Sequence, residues 1–95
     1  MVGKHAKSCD FCPRCFKQPA ETDLGDGFVW LEFDGEMPIR QVERYGDSWF
    51  SSREDYHPEL GPGLVDQPLS VLELGAEHEI DRDEFQRAWE ASGEP

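Results

Sequence analysis

No stretch of the chain approaches the roughly 18 consecutive apolar residues that a membrane-spanning helix needs, and only 37% of the 95 residues are hydrophobic. Met1-Val-Gly-Lys-His-Ala-Lys7 is basic, but no apolar run follows it, so no secretory leader is expected. A soluble, cytoplasmic protein is the expectation. Positive charge is scarce: nine Lys and Arg face 21 Asp and Glu, a net of −12. The shortage is uneven. Residues 1–20 carry four basic side chains against Asp10, a net of +3, whereas residues 21–95 carry five against twenty, a net of −15. Phosphate recognition rests on clustered Lys and Arg, so the main domain is not expected to bind nucleic acid, and an anionic membrane is equally disfavoured. A basic protein partner is compatible with this balance. Cysteine is also scarce. The three present fall within seven residues, which excludes a disulfide framework spread across a domain. No second CxxC pair, no calcium-loop pattern and no strand–loop–helix glycine setting for a phosphate occurs.

What the chain does have is strand chemistry between Phe28 and Ser52. Phe28-Val-Trp-Leu-Glu-Phe33 is aromatic and β-branched, and Asp34-Gly35 is a hairpin signal because a type I′ turn needs positive φ at both central positions. Ile39–Tyr45 reads as the second strand, and Gly46-Asp47 as a tight turn into Ser48–Ser52. Two-residue loops at both turns place Trp30 opposite Ile39, Glu43 opposite Phe50 and Arg44 opposite Trp49. One face then collects Val29, Leu31, Phe33, Val42 and Trp49 with Arg40 and Arg44, and this face is expected to be the core side. The opposite face collects Phe28, Trp30, Ile39, Tyr45 and Phe50 with Glu32, Gln41 and Glu43. A slip of one residue exchanges the two.

Residues 53–68 hold Pro58, Pro62, Pro68, Gly61 and Gly63, which forbid a regular helix, while Tyr56, Leu60, Leu64 and Val65 are apolar enough to order a loop. Pro68–Leu74 reads as a fourth strand. The strongest element is a C-terminal helix. Asp81 and Glu84 have the spacing of a capping box, Ile80 and Phe85 that of a hydrophobic staple, and Phe85, Ala88 and Trp89 form one apolar stripe. The expected fold is a small α+β domain over residues 28–95, an antiparallel sheet of about four strands with one helix packed on a face. Residues 1–27 read as a flexible tail.

Four groups of side chains invite chemistry. Cys9, Cys12 and Cys15, with His5 as a fourth ligand, would make a compressed Cys3His zinc set. His57, His78, a second chain, or no metal at all remain open alternatives, and free thiols or a CxxC dithiol compete with them. His57, in the long loop beside Tyr56 and near Glu54, Asp55 and Glu59, is the one candidate general base, with no nucleophile in a triad-like setting and the composition of a surface histidine. His78, between Glu77 and Glu79, reads as solvated. Arg40, Glu43, Arg44 and Trp49 sit in the middle of the sheet, where charges are costly unless paired, and with Tyr56 and His57 could line a patch that reads a partner. An Arg44–Trp49 cation–π pair is expected there.

Arg40-Gln-Val-Glu43 entering a strand, an aromatic after the next turn, Asp66-Gln-Pro-Leu69 and the Glu84-Phe85…Trp89 helix resemble a family of small uncharacterised bacterial domains. The resemblance spans roughly residues 28–92, implies a small α+β fold and carries no catalytic residue. The expected function is a non-enzymatic, acidic protein-binding module, in its sharper form an immunity- or antitoxin-like inhibitor of a basic protein. A zinc-bound accessory domain and a small enzyme using His57 are the alternatives.

Overall fold

Where a chain must bury apolar side chains on both sides of one sheet, its strands stop alternating cleanly, and that is the case here. The computed structural model describes residues 13–93. Four strands run as an antiparallel meander: β1 (Arg14–Thr22), β2 (Gly25–Asp34), β3 (Met37–Tyr45) and β4 (Ser48–Ser51). The following loop holds a small ladder of β5 (Tyr56–His57) and β6 (Gly61–Pro62). A single helical turn, α1 (Leu69–Leu72), comes next, then a 3-10 turn at Ala76–His78 and β7 (Glu79–Ile80). Helix α2 (Arg82–Ser92) closes the chain. The sheet order is β4-β3-β2-β1-β7. The α+β architecture is therefore as expected, with a fifth strand supplied by β7.

The tail reading fails for residues 14–27. Arg14–Thr22 is an interior strand over its first residues, paired to β2 along its whole length and to β7 at Cys15 and Phe16. Its polar sequence hid it, because only Cys15 and Phe16 are buried, one on each side of the sheet. Residues 1–12, with Cys9, Cys12 and His5, lie outside the described residues.

The β2–β3 register also differs from expectation. The central turn residues are Gly35 and Glu36, with Asp34 opposite Met37, and a bulge follows between Glu32 and Phe33. Trp30 therefore faces Val42 instead of Ile39, three residues further along. An odd shift moves every β3 side chain to the other face. At the next turn Glu43 faces Phe50 and Arg44 faces Trp49, as the two-residue loop requires. Gly35 and Gly46 take φ of +62° and +60°, while Glu36 and Asp47 directly after them do not take positive φ, which is the type II′ demand for glycine at the first central position only.

Both faces are core, not one. Cys15, Trp30 and Val42 pack under α2 against Phe85 and Ala88, with Trp49, Ile80 and Trp89 at the margin. Phe16, Leu31 and Phe33 face the other way, under Leu69, Leu72, Leu74 and Val65. Pro68–Leu74 is thus no strand. Leu69 and Leu72, three apart, turn one face inward, and the turn ends at Glu73 in the left-handed region, φ +56°. Pro68 offers no cap, so Glu36 serves from the β2–β3 turn: its carbonyl accepts from Leu69 N at 3.0 Å and its carboxylate from Ser70 N at 2.9 Å. The hydrogen bonds from Ser70, backbone first and side chain second, hold the Glu36 carboxyl below its ordinary range.

Helix α2 follows its sequence signature. The Asp81 carboxylate accepts from Glu84 N at 2.8 Å, and Phe85 is fully buried against the sheet. Its last turn is finished from outside. Arg53 donates to the Trp89 carbonyl at 2.8 Å and to Ser92 Oγ at 2.8 Å, a cation where the helix dipole favours one. A Cβ on Gly93 would come within 2.9 Å of the Arg53 guanidinium carbon, so a larger residue there would displace that side chain. None of the described helices is long and apolar enough to cross a membrane.

Candidate functional site

The six residues expected to form one patch fall in three places. Arg40, Arg44 and Trp49 lie on the α2 side of the sheet, Glu43 on the opposite side, and Tyr56 and His57 on the loop beyond β4. Strand alternation alone keeps Glu43 off the face of Arg40 and Arg44; the odd register shift changes their β2 neighbours, so that Arg40 stands opposite Glu32 and Arg44 opposite Phe28.

Arg40 is structural. Its guanidinium grips the Glu32 carboxylate with two nitrogens, Nη2 to Oε2 at 3.1 Å, and Glu32 is only 2% exposed. The same cation lies 5.0 Å from the Phe85 ring centroid and 4.9 Å from that of Trp89. Arg40 therefore ties sheet to helix. Glu43 accepts from Tyr45 Oη at 2.7 Å and from Gln41 Nε2 at 2.9 Å, and Gln41 Oε1 accepts from Val65 N at 2.9 Å. This chain fastens the 58–68 segment to its face of the sheet, and burial beside the Glu43 carboxylate pushes the Tyr45 phenol up.

His57 is buried, 4% exposed, so it is no surface histidine. Strand alternation explains why. Ser52 N donates to the Gln41 carbonyl, which places the backbone groups of Gln41, Glu43, Phe50 and Ser48 on the β3–β4 ladder and turns those of Trp49 and Ser51 outward. The outward Ser51 carbonyl then meets His57 Nε2 at 2.9 Å and Glu54 N at 3.3 Å. Imidazole closes an open sheet edge that would otherwise invite pairing. Its Nδ1 stands 3.5 Å from the Glu54 carboxylate. Gly63 lets the loop wind this tightly, because a Cβ there would sit 2.1 Å from the Glu54 carbonyl oxygen and 3.2 Å from His57 Nε2.

A polar cavity of about 380 Å³ opens beside this imidazole, lined among others by Arg53, Glu54, His57, Glu59 and Ser92. The concavity that the enzyme reading requires therefore exists, but its chemistry is already committed. Both ring nitrogens face acceptors. Ser51 Oγ accepts from Arg53 N and Nη1 at 3.3 Å, and Ser92 Oγ donates to the Trp89 carbonyl at 2.7 Å. No hydroxyl among the described residues stands ready to attack with His57 as its base. Tyr56, two-thirds exposed, does not reach into this arrangement.

Of the cysteine cluster only Cys15 lies among the described residues. Cys15 is 1% exposed, packed among Trp30, Val42, Phe85 and Ala88, and burial pushes its thiol up to about 11. A metal ligand must be a thiolate, the form that burial disfavours at Cys15, while Cys9, Cys12 and His5 lie outside the described residues. Among the described residues no group of three or more His, Cys, Asp or Glu side chains is arranged to hold a metal ion.

On the α2 side, cations and aromatic rings interleave. Lys17 Nζ lies 4.4 Å from the Phe28 ring and 5.4 Å from Trp30, Trp30 stacks on Trp49 at 5.7 Å, and Arg44 covers Trp49 at 5.2 Å as expected. Arg53 lies 3.9 Å from the Trp89 ring. Lys17, Arg53, Glu32 and Phe28 were not among the expected site residues. For Lys17 the missing signal was the pairing of β1 itself.

No family model, no curated protein and no solved structure matches this chain. The fold and the side-chain geometry alone support any functional reading.

Proposed function

We propose that the chain is a non-enzymatic, acidic protein-binding module whose partner is a basic protein; its narrower form is an immunity- or antitoxin-like inhibitor. One observation carries this reading, the commitment of five of the seven described cations to contacts within the fold. Residues 13–93 hold seven Lys and Arg against nineteen Asp and Glu. Arg14 pairs with Glu79, Lys17 with Glu84 and Arg40 with Glu32, while Arg44 and Arg53 bond backbone carbonyls and cover indole rings. Among the described residues only three carboxylates are thus paired to Lys or Arg. The rest present an unneutralised field, which steers a basic protein and repels phosphate-rich surfaces.

The test is affinity capture on the immobilised chain at low ionic strength, with elution by added salt. A captured basic protein is then purified and its Kd measured as a function of salt. The reading expects affinity that falls steeply with ionic strength. Recovery of no basic protein at low salt, or binding indifferent to salt, refutes it.

A further inference from the structure

We infer that the free end of the β1–β2 hairpin is the docking surface of this module, and that it receives a protein segment presenting an apolar side chain flanked by Lys or Arg. The inference rests on the protein-binding reading above and adds where the partner sits and what it must carry.

Helix α2 reaches β1 at Lys17, whose ammonium lies 3.7 Å from Glu84. Further out on the same face, Pro19 and Glu21 of β1 stand beside Phe28 and Asp26 of β2. They line a recess of about 530 Å³ whose floor is Ala20 and Gly27. A Cβ on Gly27 would fall 1.6 Å from the Arg44 carbonyl oxygen, so β2 and β3 are pressed together beside the recess. Phe28 forms the wall and is 41% exposed, with Lys17 covering part of its ring. On the reverse of the same hairpin end a second recess, about 490 Å³, is formed by Thr22, Asp23, Leu24, Glu59 and Leu60. Leu24, too, is exposed. Each recess combines exposed apolar surface with a rim of two carboxylates.

That combination selects the occupant. An apolar recess with an exposed aromatic wall gains from burial against an apolar side chain. Glu21 and Asp26 then require cations on either side of it. The same rim turns away nucleic acid, an anionic membrane and a second copy of this chain, whose own rim would meet it with like charge. The occupant is held by side chains and does not extend the sheet. Asp26 accepts from Gly46 N on the β3 side, so alternation turns the backbone groups of Lys17, Pro19 and Glu21 outward on the open edge of β1. Pro19 has no N–H to offer an added strand.

The experiment selects a random-peptide display library on the full-length protein and titrates the recovered peptides, as synthetic material, into 15N-labelled protein. The expected result is enrichment of Lys and Arg around one aliphatic or aromatic residue, with the amide shifts centred on Ala20, Gly27 and Phe28. Phe28→Ser is expected to weaken binding by about tenfold or more, as loss of an apolar anchor does. The paired Glu21→Gln and Asp26→Asn variant changes only surface charge. It is expected to weaken binding and flatten its salt dependence, which keeps the test decisive if Phe28→Ser folds poorly. Basic peptides whose shifts map elsewhere overturn this surface and leave the module reading standing. Peptides without basic enrichment, or no peptides at all, overturn both.

Discussion

The Glu32–Arg40 pair offers the sharpest test of the division between structure and function on the sheet, because its two ends are unequally buried. Glu32 is 2% exposed, whereas the Arg40 side chain keeps about a quarter of its surface, 27%, in contact with water. Removing the arginine strands a carboxylate that cannot reach solvent. Removing the carboxylate charge leaves a cation that can, and that still lies against the Phe85 and Trp89 rings. Arg40→Met preserves the stem and should therefore cost about 3–5 kcal/mol, the penalty for an uncompensated buried charge. Glu32→Gln keeps the shape and one acceptor, and should cost about 1–2 kcal/mol. The double variant Glu32→Leu with Arg40→Met replaces the pair by apolar volume and should return to within about 1–2 kcal/mol of the parent. A domain of this size has about 5–15 kcal/mol in total, so the single arginine variant will be visibly destabilised in urea melts followed by circular dichroism. Equal losses for the two single variants, or a double variant no better than Arg40→Met, would refute this account of Arg40 and return it to the list of partner-reading residues.

Three further outcomes follow from contacts described above. His57→Ala should lower stability by about 1–3 kcal/mol, since it exposes the Ser51 carbonyl and empties a packed site, and His57→Asn should recover part of the loss in thermal melts. In a Cys9→Ser, Cys12→Ser background, Cys15 should resist alkylation at pH 8 until urea unfolds the chain; prompt labelling of the native protein would contradict its place beneath α2. Glu36 and Glu79 both have folded values held below the ordinary 4.5, by the Ser70 hydrogen bonds and by Arg14 respectively, so each binds its proton less readily in the folded state. Their contribution is present above about pH 4.5 and is lost as pH falls through the depressed values; Glu36→Gln should flatten that part of the acid-denaturation curve.

Much of this architecture was legible because local rules agreed with the fold. Asp81, Glu84 and Phe85 announced α2 by capping and staple spacing, and Gly46 fixed the β3–β4 register by a turn that admits one geometry. Failure came where a local signal had more than one reading. Asp34-Gly35 suggested a turn, but glycine serves equally as the first central residue, and the bulge at Glu32 has no sequence mark of its own. Together they displaced the register by an odd number and gave Arg40 and Arg44 different β2 neighbours from those expected. β1 was missed because a strand covered on both sides needs only one large residue per face, and Phe16 beside Cys15 satisfies that without alternation. Burial of His57 depends on an outward-facing Ser51 carbonyl, a consequence of pairing that no window of sequence displays.

All three tryptophans belong to the helix side of the sheet, Trp30 within its buried cluster and Trp49 and Trp89 at its margin, while the opposite layer of Phe16, Leu31, Phe33 and Leu69 contains none. Indole emission will consequently register lifting of the C-terminal helix and stay dark to loosening of the leucine-bearing segment behind it. A fluorescence melt that precedes or trails the far-ultraviolet signal would thus tell which layer leaves first, without any label being attached.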